Sequence, residues 1–168
     1  PNDYRWYLND SKKKDFNSFV KCQQQIGRLH LYGDLQLRTV SYDINGFRKN
    51  PTLHPSNNYS FFNPKFGFTY SVGKTYGFLS FAVANKEPNR DDFEAGENQI
   101  PKHETLYDWE AGIERRDPVF NWSLTLFNMR YRNQLILTGM INDVGAYTRT
   151  NIPNSFRKGI ELNGYWKP

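Results

Sequence analysis

Hydrophobic and polar residues alternate along the segment 28–43. The odd positions carry four leucines, Leu29, Leu31, Leu35 and Leu37. The even positions carry His30, Tyr32, Asp34, Gln36 and Arg38. Because successive side chains of a strand point to opposite faces, this pattern predicts a β-strand with one apolar and one polar face, whereas a helix would scatter the leucines. The strand is longer than the roughly five or six residues usual in globular proteins, and it reaches the roughly ten that cross a bilayer.

Turn signals divide the whole chain into about eight strands of this kind. The predicted strands span 3–9, 14–26, 28–43, 61–72, 75–86, 104–116, 120–138 and 147–166. Short connections at Gly27, 73–74 and 117–118 alternate with long ones at 44–60, 87–103 and 139–146. In an up-and-down sheet, every second connection lies at the same end, so one end carries turns and the other carries loops. Outer-membrane barrels have this asymmetry.

Several other strands also sort into two faces. Phe66, Phe68, Tyr70 and Val72 share one face, as do Leu79, Phe81 and Val83, and Ile160, Leu162 and Trp166. The segment 120–138 is less regular, because Trp122, Leu124 and Leu126 lie opposite Phe127, Met129 and Tyr131. A β-bulge or an aromatic patch on the second face explains this irregularity. Alternation alone leaves open whether the apolar face meets lipid or a protein core. Tyr76, Trp122 and Trp166 beside the short turns favour an aromatic girdle at a membrane interface.

Composition narrows the classes of protein. Hydrophobic residues make up 38% and aromatic residues 17% of the 168 residues, and no apolar run reaches the length of a spanning helix. A helical membrane protein is therefore excluded. The net charge of +5 is dispersed along the chain, which argues against a nucleic-acid partner. Cys22 is the single cysteine, so it forms no intrachain disulfide and is interpreted as a packing residue.

The motifs of common enzymes and metal sites are missing from the sequence. The histidines His30, His54 and His103 lie in separate segments without metal-ligand spacing, and the adjacent carboxylates Asp91 and Asp92 would point to opposite sides of a strand. The Gly-Lys-Thr sequence at 73–75 joins two strands and lacks the upstream glycine of a phosphate loop. The sequence predicts no enzyme, no cofactor and no metal site.

Several segments resemble the barrel of a TonB-dependent outer-membrane receptor. They are Asn63-Pro64-Lys65-Phe66-Gly67-Phe68-Thr69-Tyr70, the run 80–93 from Ser80 to Phe93, the run 104–112 from Glu104 to Gly112, and Asn151 followed by Gly159-Ile160-Glu161-Leu162. Their order and spacing are similar to those of the later barrel strands of such receptors. The predicted fold is all-β, with about eight consecutive strands of an antiparallel, up-and-down transmembrane β-barrel of about 22 strands.

The resemblance implies that residues 1–168 form part of a barrel domain, with the plug domain and the closing strands absent. Small residues on the polar side of the strands then leave space for a plug. These are Gly67, Ser80, Ala82, Ala84 and Gly112. The implied location is the outer membrane of a Gram-negative bacterium, and the implied activity is import of a bulky nutrient such as a ferric siderophore, cobalamin or glycan. The implied partners are outer-membrane lipid, this nutrient, and the TonB energy-coupling protein through the absent plug or N-terminal segment.

The resemblance places ligand contacts in the long loops, which are extracellular in such receptors. The candidate ligand-binding residues are His54, Asn57, Asn58, Tyr59, Arg90, Asp91, Asp92, His103, Tyr147 and Arg149. A purely solvated role for these charges is the competing interpretation, and a Glu87–Arg90 ion pair would shape the strand exit without touching a ligand.

Two alternatives remain at this point. A soluble, secreted β-sandwich or lipocalin-like module would bind a sugar or an apolar ligand on aromatic platforms and would bury the leucine face of 29–37. A small structural or porin-like outer-membrane barrel would expose that face to lipid but has less use for long loops.

Overall fold

A computed structural model describes residues 10–47, 52–94, 100–141 and 147–167 of the protein. Its elements are β1 (Asp10–Ile26), β2 (Leu29–Asn45), β3 (Ser56–Val72), β4 (Thr75–Lys86), α1 (Arg90–Glu94), β5 (Glu104–Arg115), β6 (Phe120–Ile141) and β7 (Tyr147–Trp166). The predicted strand 3–9 lies outside the described residues, and each of the other seven predicted strands corresponds to one of β1–β7. The short helix α1 was not predicted.

The seven strands form one sheet in the order of the chain, and every neighbouring pair is antiparallel. This confirms the all-β, up-and-down topology. The sheet is open, with β1 and β7 at its edges in the part of the chain that the structure describes. No helix among the described residues is long and apolar enough to cross a membrane.

Short and long connections alternate as predicted. The connections at 27–28, 73–74 and 116–119 form the turn end of the sheet, and the connections at 46–55, 87–103 and 142–146 form its loop end. Gly27 and Gly73 have positive φ values of 57° and 59°, which glycine adopts without steric cost in a tight hairpin turn. At the loop end the strands extend beyond the predicted limits, so the predicted connection 44–60 is shortened to 46–55.

One face of the sheet, here called the apolar face, carries the leucines of β2. Cross-strand pairing extends this face over six strands, through Leu31, Phe68, Leu79, Ala111, Leu126 and Ile160. Nothing in the described structure covers it: Leu35 and Leu37 are 51% and 60% exposed, and Leu162 is 74% exposed. The soluble-module alternative requires this face to be buried, and the structure therefore disfavours it.

Aromatic side chains form a continuous row on the apolar face. Phe66, Phe81 and Trp109 lie directly opposite one another on β3, β4 and β5, with ring centroids 5.2 and 4.4 Å apart. Trp122 and Trp166 lie on this face at the turn end, as a girdle requires. Tyr76, the third residue predicted for this girdle, lies on the opposite face, where the Arg116 guanidinium carbon is 4.5 Å from its ring centroid.

The other face, here called the polar face, contains three aromatic–glycine pairs. Tyr32 lies opposite Gly67, Phe78 opposite Gly112, and Phe127 opposite Gly159. A Cβ atom added to any of the three glycines would come within 2.8 Å of the facing ring. The interpretation that Gly67 and Gly112 leave space for a plug is therefore wrong, because the wall's own aromatic rings fill that space.

These pairs also explain the irregular pattern of β6. Its register with β7 is continuous from Phe120 to Arg132, and the irregularity in pairing falls later, between Leu137 and Ile141. Phe127 lies on the polar face because it covers Gly159. Of the two predicted explanations, the aromatic patch accounts for 120–132, and the bulge lies closer to the loop end.

The buried core lies at the loop end, on the polar face. It consists of Val40, Tyr42, Ile44, Phe47, Phe61 and Phe93, and these six residues are called the mouth cluster below. The apolar positions of β2 change from odd to even numbers at Val40, so hydrophobic side chains move from the apolar face to the polar face. They are buried there because the connection containing α1 folds over them. A sheet that is polar on this side along most of its length therefore has a hydrophobic patch at its loop end.

Candidate functional site

The connection between β4 and β5 returns to the polar face through α1. Asn89 and Asp92 cap this helix reciprocally. The backbone N–H of Asn89 donates to Asp92 Oδ2 at 2.7 Å, and the backbone N–H of Asp92 donates to Asn89 Oδ1 at 2.9 Å. The capped turn directs Phe93 into the mouth cluster, where its ring meets Tyr42 edge-on at 5.6 Å. The helix thus places its connection over the ends of β2 and β3.

Asp92 has a second partner on a distant strand. Arg149 of β7 donates from Nη1 to Asp92 Oδ1 at 2.6 Å, and the Asp92 side chain is only 2% exposed. A buried carboxylate needs such a partner, since an unpaired buried charge is costly. This ion pair therefore ties α1 to the far side of the sheet, and both residues belong to the predicted ligand-binding set.

We expect Arg149→Met to release α1 from the sheet. The substitution keeps an apolar stem but leaves the buried Asp92 carboxylate with only its helix-capping contacts, at a cost of about 2 kcal/mol. Protease cleavage within 87–94 of the full-length receptor measures this, and cleavage should be faster in the variant. Arg157→Met is the matched control on the same strand, because Arg157 lies opposite Met129 with its guanidinium carbon 5.4 Å from the Tyr131 ring centroid, and it has no contact with α1 among the described side chains. Equal cleavage rates for the two variants would contradict the role assigned to Arg149.

A second ionic cluster fastens the start of the same connection. Arg38 of β2 donates to both Glu87 oxygens at 2.9 Å and to Asp15 Oδ2 of β1 at 2.7 Å. Lys13 lies 3.0 Å from Glu87. Glu87 therefore pairs with two strands, and the predicted Glu87–Arg90 pair is wrong. Arg90 instead lies over the Phe47 ring, 5.4 Å from its centroid.

Glu87 gives this attachment a pH dependence. Burial opposes its ionisation, but hydrogen bonds from the backbone, Lys13 and Arg38 outweigh burial and hold the pKa of Glu87 below its usual value. A lowered pKa in the folded state stabilises the attachment above the ordinary glutamate pKa, and this stabilisation is lost as pH falls through the lowered value.

We therefore expect amide hydrogen exchange in 87–94 to show less protection at pH about 3 than at pH about 7, after correction for intrinsic exchange rates. Glu87→Gln is the control, and its protection should be lower at neutral pH and should fall less than that of the unsubstituted receptor on acidification. The same loss of protection in Glu87→Gln on acidification would assign the effect to another group.

The aromatic part of the site joins two predicted residues, Tyr59 of β3 and His103 of the connection between β4 and β5. His103 packs edge-on against Tyr59 and Phe61, with centroid distances of 6.0 and 5.6 Å. Tyr59 and His103 are half-buried, so each keeps part of its surface free at the loop end. Asn151 of β7 holds the chain next to His103, because its side chain accepts from the Lys102 amide at 2.8 Å and donates to the Lys102 carbonyl at 3.0 Å.

The remaining predicted residues are dispersed. Asn57 lies opposite Tyr42 on the polar face, whereas Asn58 lies opposite Ser41 on the apolar face. His54, Arg90 and Asp91 are exposed, and the side chain of Tyr147 lies outside the described part of the chain. The structure thus groups Tyr59 with His103 and Asp92 with Arg149.

Sequence reasoning missed the residues that hold this site together. Arg38, itself paired with Asp15, anchors Glu87, and Tyr42 donates from its hydroxyl to the Pro88 carbonyl at 3.4 Å. The change from odd to even hydrophobic positions in β2 at Val40 was the sequence signal that could have located the mouth cluster. Among the described residues, no group of three or more His, Cys, Asp or Glu side chains is arranged to hold a metal ion.

Below the mouth cluster, the polar face forms an open concavity of about 670 Å³ lined mostly by polar and charged side chains. Its lining includes Asn17, Lys21, Asp34, Gln36, Asn63 and Ala82. Ala82 and Ala84 add no bulk there, in contrast to the covered Gly67 and Gly112. The site therefore combines a partly covered aromatic mouth with an open, largely polar wall beneath it.

The whole described chain matches one protein family. The family model described as "TonB dependent receptor-like, beta-barrel" aligns with residues 1–167. The chain belongs to this family. It is a family of transport receptors and not of enzymes. A comparison with curated protein sequences gives no match.

Solved structures of TonB-dependent receptors share the fold of this barrel segment. The copper transporter OprC aligns with a TM-score of 0.78 at 14% identity, over 95% of this chain and 26% of its own. The FrpB iron transporter from Neisseria meningitidis aligns at 0.69 and 18% identity, over 96% and 25%. The alcaligin outer-membrane receptor FauA from Bordetella pertussis aligns at 0.68 and 17% identity, over 95% and 28%. The present chain spans about a quarter of the length of these proteins.

Proposed function

We propose that this chain is part of the barrel wall of a receptor in the outer membrane of a Gram-negative bacterium. The receptor binds a bulky nutrient and imports it with energy from the TonB system. The observation that carries the proposal is the contrast between the two faces: an uncovered apolar belt lies across the sheet, behind a hydrated polar wall. Such a contrast suits a wall between lipid and an aqueous lumen. The plug and the closing strands belong to the longer receptor.

The loop end is the proposed extracellular entrance. We assign ligand contact first to the partly free Tyr59 and His103. His54, Asn57, Arg90, Asp91 and Tyr147 belong to other positions at the same end of the sheet and are proposed as further contacts. Asp92 and Arg149 are assigned a positioning role and no direct ligand contact, because their ion pair holds the connection that carries Arg90.

The substrate class proposed for the receptor is a ferric siderophore, cobalamin or a glycan. Three of the similar proteins are an iron transporter, an alcaligin receptor and a ferric enterobactin receptor, which supports the ferric siderophore class. A half-buried aromatic and imidazole surface also suits a bulky ligand with planar groups, since such rings offer large contact area at little entropic cost.

Uptake in cells tests this proposal. A strain lacking the receptor gene is compared with the same strain carrying the full-length gene, using labelled ferric siderophores, cobalamin and an oligosaccharide. Uptake of one probe that depends on the gene, and that a protonophore abolishes, supports the proposal. Two results would contradict active transport by this receptor. The first is equal uptake of every probe with and without the gene, and the second is gene-dependent uptake that the protonophore leaves unchanged.

Substitutions at the mouth refine the assignment. Tyr59→Ala and His103→Ala in the full-length receptor should each weaken binding of the transported probe by about tenfold, equivalent to about 1.4 kcal/mol. Ser60→Ala is the matched control, since Ser60 neighbours Tyr59 but is exposed on the apolar face. Binding constants from titration of the purified receptor decide the matter, and unchanged affinity in both mouth variants would remove these residues from the site.

A further inference from the structure

The neighbouring strands β3 and β4 stop pairing before they reach the loop end. Their register ends at Lys65 opposite Ala82, although β3 starts at Ser56 and β4 continues to Lys86. The next residue of β3 is Pro64, which has no N–H to donate to a neighbouring strand. Nearer the loop end, the backbone of β3 pairs with β2 and that of β4 pairs with β5. This divided part of the sheet is called the fork below.

Two asparagine side chains replace the missing backbone pairs across the fork. Asn63 Oδ1 accepts from the backbone N–H of Asn85 at 3.0 Å and from Asn85 Nδ2 at 2.8 Å. Asn85 Nδ2 also donates to the Phe62 carbonyl at 3.2 Å. Asn63 and Asn85 together are called the amide bridge.

The amide bridge is tied to the strands on both sides. Asn63 Nδ2 donates to Gln36 Oε1 of β2 at 2.8 Å. On the other side, the buried Thr105 of β5 donates from Oγ1 to Asn85 Oδ1 at 2.7 Å. A chain of hydrogen-bonded side chains thus runs from β2 to β5. Side-chain networks whose members satisfy one another hold a rigid arrangement.

The fork opens toward the polar face. Ala82, Val83, Ala84 and Asn85 all line the concavity of about 670 Å³, although successive side chains of a strand point to opposite faces. The concavity therefore reaches the unpaired edge of β4. Since backbone pairing does not close this edge in the described strands, the amide bridge keeps the two strand segments at their spacing.

The two residues assigned first to ligand contact lie on opposite sides of the fork. Tyr59 belongs to the part of β3 whose backbone pairs with β2. His103 directly precedes β5, and Asn151 of β7 holds the adjacent Lys102. The contact between the Tyr59 and His103 rings therefore crosses the fork. The width of the fork then determines whether one ligand can touch both rings.

We propose that Asn63 and Asn85 are positioning residues of the candidate site, which hold Tyr59 and His103 at the spacing that lets both contact one ligand. The proposal rests on the ligand contacts assigned under the proposed function. Without the amide bridge, the loop end of β3 separates from β4, and His103 loses its packing against Tyr59. The bridge lies nearer the turn end than the two rings and acts through them.

Chemical modification of histidine in the full-length receptor tests this. Diethyl pyrocarbonate acylates accessible imidazole nitrogens, and peptide mass spectrometry gives the rate at each histidine. His103 should react about fivefold faster in Asn63→Leu than in the unsubstituted receptor. This corresponds to about 1 kcal/mol, the usual net contribution of one hydrogen bond. His54 is exposed and serves as the internal reference, so its rate should not change.

Asn63→Asp is the conservative variant. A carboxylate keeps the acceptor for Asn85, and the Gln36 amide can turn so that it donates to this carboxylate. His103 should therefore react at nearly its original rate. Thr69→Val is the matched control on the same face of β3, where backbone pairing with β4 is continuous, and it should also leave the His103 rate unchanged.

An unchanged His103 rate in Asn63→Leu would overturn the proposal. Equal acceleration at His54 and His103 would also overturn it, because the receptor would then have loosened generally. So would equal acceleration in Asn63→Asp, since the shared acceptor would have no role. A folded band on unheated gels confirms that the variants fold, and Asn85→Ala removes the other half of the bridge if Asn63→Leu does not fold. The assay uses no transported nutrient, so its outcome is separate from that of the uptake experiment.

Discussion

Gly112→Ala will destabilise the folded sheet by about 2–3 kcal/mol, whereas Gly77→Ala will have little effect or stabilise it slightly. The reason is the space next to each glycine. A Cβ atom on Gly112 would lie 2.6 Å from the backbone oxygen of Leu124 and 2.5 Å from the Phe78 ring. At Gly77 the nearest atom to such a Cβ would be 4.0 Å away. Both glycines lie within the paired strands β4 and β5, Gly77 on the apolar face and Gly112 on the polar face.

Double variants separate ring contacts from backbone contacts. At Gly159 the three nearest atoms to an added Cβ all belong to the Phe127 ring, the first at 2.6 Å. Phe127→Ala should therefore suppress the cost of Gly159→Ala. Phe78→Ala should not suppress the cost of Gly112→Ala, because the Leu124 carbonyl remains in place.

The temperature at which the purified full-length receptor loses its folded gel mobility measures these effects. We expect a clear decrease for Gly112→Ala and for Gly159→Ala alone, and none for Gly77→Ala. A decrease of the same size at Gly77 would mean that glycine itself, and not the facing aromatic ring, determines stability at these positions.

Arg38→Met will detach the connection between β4 and β5 from the polar face, at a cost of about 2 kcal/mol after allowance for partial exposure. Arg38 is the only described residue that contacts both Asp15 of β1 and Glu87 of the connection. The Glu87 side chain is 11% exposed, so loss of Arg38 leaves a largely buried carboxylate with Lys13 as its remaining cation. The mouth cluster should lose protection together with α1, because Phe93 and Tyr42 pack against each other.

Lys21→Met is the control for this prediction. Lys21 and Asp34 also form an ion pair between β1 and β2, at 3.3 Å, but their side chains are 63% and 30% exposed. Removal of this pair should change stability by less than about 0.5 kcal/mol. Hydrogen exchange of residues 40–44 and 87–94 distinguishes the variants, and equal protection in both would show that Arg38 does not hold the connection.

Much of the sheet could be predicted from the sequence because each strand carries one apolar and one polar face. Leu31, Leu35 and Leu37 all lie at odd positions, and a slip of one residue in the register would move them all to the other face of the sheet. Gly27 and Gly73 mark the tight turns. Alternation therefore predicted all seven described strands and their two faces, besides the strand 3–9 that lies outside the described residues. It could not assign the medium that meets the apolar face, and the family match and the exposure of that face support the proposal that this medium is lipid.

The candidate site was harder to predict because its contacts are long-range. Nothing local in the sequence joins Asp92 to Arg149 or Arg38 to Glu87, and the register of several strands must be known before these pairs meet. Gly67 and Gly112 suggested empty space on the polar face because the rings that cover them belong to neighbouring strands. Only the pairing of β2 with β3 and of β4 with β5 brings Tyr32 and Phe78 over them.

The central claim is that the leucine face of β2 contacts lipid while its polar face does not. Single cysteines at Leu37 and at the adjacent Gln36, in an otherwise cysteine-free full-length receptor, are labelled with a small fluorophore and reconstituted in vesicles. Brominated lipids should quench the label at residue 37 strongly and the label at residue 36 weakly. Equal quenching at both positions, or stronger quenching at residue 36, would contradict the account.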